Sequence, residues 1–145
     1  MERELLTYPL ANAELRAELG FTLEHLRECG FSECNVLFGY AWGMEYYQDD
    51  QWVAEALPLG SVLAKIAEVE ARGIGRLGAD DLFLEFPSFS FLFCNDSDVH
   101  LRFSEDAPLV EFFFSRWERL GYKPAEWLSG EGGAKVKVHG EDTNA

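Results

Sequence analysis

The sequence predicts an α+β fold: a single domain in which a mainly antiparallel sheet is packed by about three to four helices. Three observations predict it. Residues 81–104 alternate apolar and polar side chains in three short runs joined by two tight turns, which calls for antiparallel pairing. Residues 58–72 and 107–120 carry apolar stripes at helical spacing. The strand–helix–strand alternation of a doubly wound nucleotide fold is missing. At 145 residues and 48% apolar, the chain has enough material for one core.

Residues 9–29 read as helix in two pieces. Leu15, Leu19, Leu23 and Leu26 form one stripe, and Gly20 predicts a break near Phe21, with Thr22 as a second N-cap. Gly30 suits the C-cap. Residues 35–42 are apolar and aromatic and read as a strand, with Gly39 marking a bulge. Residues 43–50 either pair back or loop, so a strand or hairpin is expected over about 34–47. In the helix at 58–72, Leu59, Val62, Leu63, Ile66 and Val69 share a stripe, and Gly73 ends it.

The three-strand meander follows at about 81–104. Leu82, Leu84 and Phe86 alternate with Phe83 and Glu85, until Pro87 removes a ladder donor. Phe89, Phe91 and Phe93 share one face of the middle strand, which is expected to be central and covered on both sides. Asn95, Asp96, Ser97 and Asp98 supply turn chemistry. Val99, Leu101 and Phe103 then alternate with His100, Arg102 and Ser104. In the last helix, Val110, Phe113, Phe114, Trp117 and Leu120 give a broad apolar face, opened by Asp106 and Pro108 and stopped by Gly121. Residues 122–128 are expected to pack back through Trp127 and to close the domain, 1–128. Residues 129–145 read as a polar, glycine-rich mobile tail in which Val136 and Val138 can add a short edge strand.

A formal net charge of −14 and a pI near 4.5 oppose binding to DNA, RNA or anionic lipid, all of which need basic surface. The same charge suits a basic protein partner. Cys29, Cys34 and Cys94 are an odd set with no dense framework, which favours free thiols in a reducing compartment. The charged N-terminus lacks the apolar run of a signal peptide, and cytoplasm is expected. No run approaches the ~18 apolar residues of a membrane helix, so no membrane association is expected.

Several motifs fail on context. Residues 73–78 match G-x-G-x-x-G, but that chemistry needs a strand before and a helix after, and here the order is reversed. His25, Cys29 and Cys34 offer metal donors without a fourth ligand or finger spacing. Cys94, Asp96, Asp98 and His100 cluster at the second turn of the meander. They form a secondary candidate site, for a small ligand or a Cys–His pair, with no EF-hand glycine or closing glutamate. The main candidate is a run of aromatics and carboxylates: Trp42, Glu45, Tyr46, Tyr47, Asp49, Asp50 and Trp52. Tyr and Trp dominate binding hot spots, and flanking carboxylates steer a basic partner. No cofactor and no bound metal are expected.

A small, acidic, single-domain α+β chain is similar in general character to bacterial immunity proteins, although no motif identifies such a family. The resemblance implies a non-enzymatic domain that masks a basic partner, with Tyr46, Tyr47, Trp52, Asp49 and Asp50 on the face. Two alternatives stand beside it. One is a ligand or enzyme site at the Cys94–His100 turn. The other is a self-associating or adaptor subunit, because Phe112, Phe113, Phe114 and Trp117 cannot all point one way on a helix.

Overall fold

Alternating side chains and short turns build one antiparallel sheet, and the helical stripes cover one of its faces. The computed structural model describes residues 2–47, 53–128 and 135–137. Among them, eight strands run in the order β3-β2-β4-β5-β6-β1-β7-β8, every neighbouring pair antiparallel. The strands are β1 (Arg3–Leu6), β2 (Glu33–Phe38), β3 (Glu55–Pro58), β4 (Leu82–Glu85), β5 (Phe89–Phe93), β6 (Val99–Phe103), β7 (Ala125–Leu128) and β8 (Lys135–Lys137). The helices are α1 (Asn12–Glu28), α2 (Tyr40–Tyr46), α3 (Val62–Ala71) and α4 (Pro108–Arg119). This is the single-domain α+β fold expected, and no described helix is long and apolar enough to cross a membrane.

The register explains the core. Leu84, Phe91, Leu101 and Leu5 face one another across β4, β5, β6 and β1, and all four are fully buried. Val36 and Phe38 extend this row on β2. The helices close over this face: Phe113 of α4 meets Phe91 at 5.1 Å, and Phe21 of α1 meets Phe113 edge-on at 6.4 Å. The alternate side chains, among them Leu37, Phe83, His100 and Arg102, stay partly accessible. β5 is therefore central, but among the described residues helices cover it on one face only. Leu92 on the other face is shielded by strand neighbours such as Phe83 and His100.

Local propensity was overruled in several places. α1 runs unbroken through Gly20, because the buried stripe of Leu15, Leu19, Leu23 and Leu26 outweighs the ~1 kcal/mol cost of a helical glycine. Thr22 is not a cap. It lies mid-helix and fully buried, its hydroxyl oxygen without a hydrogen-bond partner among the described residues. The strand expected to reach residue 42 stops at Phe38, and α2 replaces the rest of the expected strand or hairpin. Gly39 is the N-cap of α2, not a bulge. Its N–H donates to the Asp81 carbonyl at 2.9 Å, and a Cβ there would collide with the Asp81 side chain. β1, β3 and β7 were not foreseen as strands. β8, Lys135–Lys137, is the short edge strand that Val136 was expected to be able to add, and it pairs Val136 with Trp127; Val138 and the rest of residues 129–145 lie outside the described residues. Leu63 and Leu120, expected in core stripes, are about half exposed.

Residues 73–78 form the helix-to-strand loop that their context implied. Gly73 and Gly78 take φ of 74° and 93°, and a Cβ on Gly75 would run into Trp42.

Candidate functional site

Of the main aromatic and acidic candidate, the side chains of Trp42, Tyr46 and Tyr47 are described, and none of the three is fully exposed. Trp42 is completely buried, so it is corrected from binding residue to core. Its ring packs edge-on to Phe38 at 4.6 Å and its indole N–H donates to the Asp81 carbonyl. α2 begins at Tyr40, and Trp42 packs from it back onto Phe38 at the end of β2. Tyr46 is half-buried, and its hydroxyl donates to Glu55 Oε1 and accepts from Lys65 Nζ, both at 3.1 Å. Lys65 and Arg72 also stand over its ring at 5.6 and 5.9 Å, so its surroundings are not purely anionic. Tyr47 is half-buried, and its hydroxyl accepts the Phe38 N–H at 2.8 Å. Burial holds its phenol above the usual range. Glu45 lies in α2, and Asp49, Asp50 and Trp52 lie outside the described residues. The aromatics of α4 are largely satisfied within the chain: Phe113, Phe114 and Trp117 are buried, and Phe112 stacks on His25 at 3.9 Å.

The secondary candidate does assemble. β5 and β6 are joined by a tight turn in which Cys94 N–H donates to the Asp98 carbonyl and Ser97 N–H to that of Cys94, both at 2.9 Å. Ser97 takes the left-handed conformation, φ 74°, that closes such a hairpin. Asp98 is 6% exposed and Asp96 is exposed at the tip. His100 is not a solvated histidine. Its Nε2 lies 3.0 Å from Asp98 Oδ1 and its Nδ1 lies 2.6 Å from Glu4 Oε2. Glu4 also accepts from Arg102 Nε at 3.0 Å.

Burial opposes charge on the imidazole. Hydrogen bonds to Asp98, Cys94 and Glu4 outweigh it and push His100 up to about 11. Burial likewise opposes charge on Glu4, but His100 and Arg102 hold its carboxyl below the usual value. Burial raises the Cys94 thiol. At neutral pH both ring nitrogens therefore carry protons and face carboxylates, and the thiol is protonated. This arrangement works against a Cys–His nucleophilic pair, which needs an imidazole able to accept a proton. Glu4 escaped the sequence reading because β1 was not foreseen: only the pairing of Glu4 with Arg102 and of Leu6 with His100 brings it across.

A third region was not foreseen. Two recesses adjoin at the opposite end of β5, around the turn at Pro87 and Ser88. The larger, about 650 Å³, lies between Glu85, Phe89, Arg102, Phe103, Glu105 and Leu109. The smaller, about 460 Å³, runs past Phe31 and Glu33 and shares Glu85, Phe86 and Pro87 with the first. Among the described residues Phe86 is the one aromatic ring that lines both, and it belongs to an aromatic cluster between them. Phe86 stacks on Phe89 at 4.8 Å, and Phe31 meets both edge-on at 5.3 and 5.5 Å. Among the described residues Glu33, Glu85 and Glu105 make no ion pair, whereas the nearby cations are engaged: Arg102 by Glu4 and Arg3 by Asp106 and Glu126. The sequence signal was limited to Glu85-Phe86-Pro87 at a strand end. Residues 31–33 and 105–109 join it only through the pairings Asn35↔Glu85 and Phe89↔Phe103.

Compared with known proteins, the chain matches no family model, no curated protein sequence and no solved structure.

Proposed function

We propose that this chain is a non-enzymatic protein-binding domain that takes a basic segment of a partner protein into the Glu33–Glu85–Glu105 groove. The observation that carries this reading is three carboxylates that make no ion pair among the described residues and line two adjoining recesses beside the stacked Phe86 and Phe89 rings. Aromatic faces receive the stems and charges of Lys and Arg, and the carboxylates give direction and speed to the encounter. The overall charge of −14 adds long-range attraction for such a partner and repels nucleic acid and anionic lipid. The doubly engaged His100 supports a binding role over a catalytic one. Three free thiols fit a reducing cytoplasm, where masking a basic protein, as immunity proteins do, is the physiological role that fits this character.

The test is comparative capture from the native host. Wild-type protein and a Glu33→Lys/Glu85→Lys/Glu105→Lys variant are immobilised side by side and washed at low and high salt. The reading expects a basic protein on wild type, absent from the variant and lost as salt rises. An identical set of proteins on both, at either salt, refutes the groove.

A further inference from the structure

The geometry points to a separate site for a borderline divalent transition metal, Zn²⁺, held by Cys94 Sγ, Asp98 and His100 Nε2 at the far end of β5 from the groove. One ligand atom from each residue lies within 4.8 Å of the other two. Around a tetrahedral zinc with bonds of ~2.0–2.3 Å, such atoms stand about 3.3–3.6 Å apart. The set closes on a metal with side-chain movements of roughly an ångström. Thiolate, imidazole and carboxylate together select zinc over calcium or magnesium, which take oxygen ligands.

Two features independent of the donors themselves prepare the site. Glu4, from β1, holds His100 Nδ1 at 2.6 Å and leaves Nε2 turned towards Asp98. A carboxylate on the far nitrogen is the usual support of a metal-bound histidine. The turn that carries Cys94 and Asp98 is also anchored from outside. Asn95 N–H donates to Asp81 Oδ1 at 2.7 Å, and the Ser97 hydroxyl donates to the Gly78 carbonyl at 3.1 Å. The donor spacing is therefore part of the fold. A fourth position falls to water or to Asp96, whose carboxylate adjoins both Cys94 and Asp98. On binding, the cation replaces the Nε2 proton between His100 and Asp98 and the Cys94 thiol proton, and both protons pass to solvent. A competing pair, His25 of α1 and its C-cap residue Cys29, lies at 3.5 Å, offers only two ligands and serves as the control.

The experiment uses the untagged full chain, stripped with a chelator and titrated with Co²⁺ and then Zn²⁺. The inference expects a thiolate-to-cobalt charge-transfer band saturating at one equivalent and erased by Zn²⁺. The band persists in Cys29→Ser and vanishes in Cys94→Ser. Glu4→Gln keeps the band but weakens Zn²⁺ binding about 10- to 100-fold, as loss of an outer-shell partner does. As a readout that needs no variant, Zn²⁺ shields Cys94 but not Cys29 from alkylation, scored by peptide mass spectrometry. No band on wild type, a band that survives Cys94→Ser or falls with Cys29→Ser, or alkylation of Cys94 unchanged by Zn²⁺ overturns the site. None of these outcomes depends on the groove.

Discussion

Replacing Glu18 should separate α1 from α4. Glu18 lies mid-way along α1 with its side chain 1% exposed. Its carboxylate accepts Arg116 Nη2 at 2.8 Å, Arg116 Nε at 3.1 and 3.2 Å, and Trp117 Nε1 at 2.8 Å. Glu18→Ala leaves a guanidinium only 18% exposed without its counter-charge, and a buried indole N–H without an acceptor. Breaking a buried pair from one side costs about 3–5 kcal/mol. Arg116 keeps the Phe21 ring at 3.4 Å and some water, so the lower end applies, about 3 kcal/mol. Glu18→Gln keeps the shape and one neutral acceptor and should lose about 1–2 kcal/mol, the difference between charged and neutral hydrogen bonds. With a urea slope near 2 kcal/mol/M, the alanine variant shifts the midpoint by roughly 1.5 M. Intrinsic fluorescence, to which Trp117 contributes as one of four tryptophans, follows the transition. A second arm adds Arg116→Ala: the double variant should be less destabilised than the sum of the two singles. An alanine variant within 0.5 kcal/mol of wild type, or strict additivity, would show that the pair does not hold the helices together.

The remaining expectations concern packing, glycines and pH. Phe91→Ala, at a fully buried site beside Phe113, should cost about 3–5 kcal/mol, while Leu120→Ala, at a half-exposed site, should stay within about 0.5 kcal/mol; urea midpoints compare them. Gly75→Ala forces a methyl into Trp42 and should lose about 1–3 kcal/mol, whereas Gly20→Ala meets open space inside α1 and should gain up to about 1 kcal/mol; calorimetric Tm values of opposite sign are the check. His100 has a folded pKa of about 11, above its unfolded value near 6.5, so its stabilisation is complete below pH 6.5 and lost as pH rises towards 11. Glu4 is lowered, so its contribution is complete above about pH 4.5 and lost as pH falls through its folded value. Wild-type stability should therefore fall between pH 7 and 10 more steeply than that of His100→Gln; parallel slopes in urea titrations across that range would rule the network out.

The alternation of residues 82–103 was enough to read β4, β5 and β6, because period-two patterning and short turns leave only antiparallel neighbours. The stripes of α1, α3 and α4 were equally plain, since a helix buries one face whatever lies beneath it. The cluster at Cys94, Asp98 and His100 was half legible: its members are close in sequence, but Glu4 is 96 residues away and is brought to His100 by strand pairing.

The aromatic run at residues 38–47 shows the opposite case. Tyr, Trp and Phe favour strands and binding surfaces by composition alone, yet Trp42 is drawn into the core and a helix forms around it.

By itself, then, the order of residues determined the α+β class, the central meander, the helical stripes and the acidic character, all of which follow from local periodicity and composition. Only the tertiary structure decided that β1 lies between β6 and β7, that Glu4 faces His100, and that Glu33, Glu85 and Glu105 line two adjoining recesses. The physical reason is range. Periodicity records what one element buries, whereas a site is made by contacts between elements, whose free energy depends on packing partners far away along the chain.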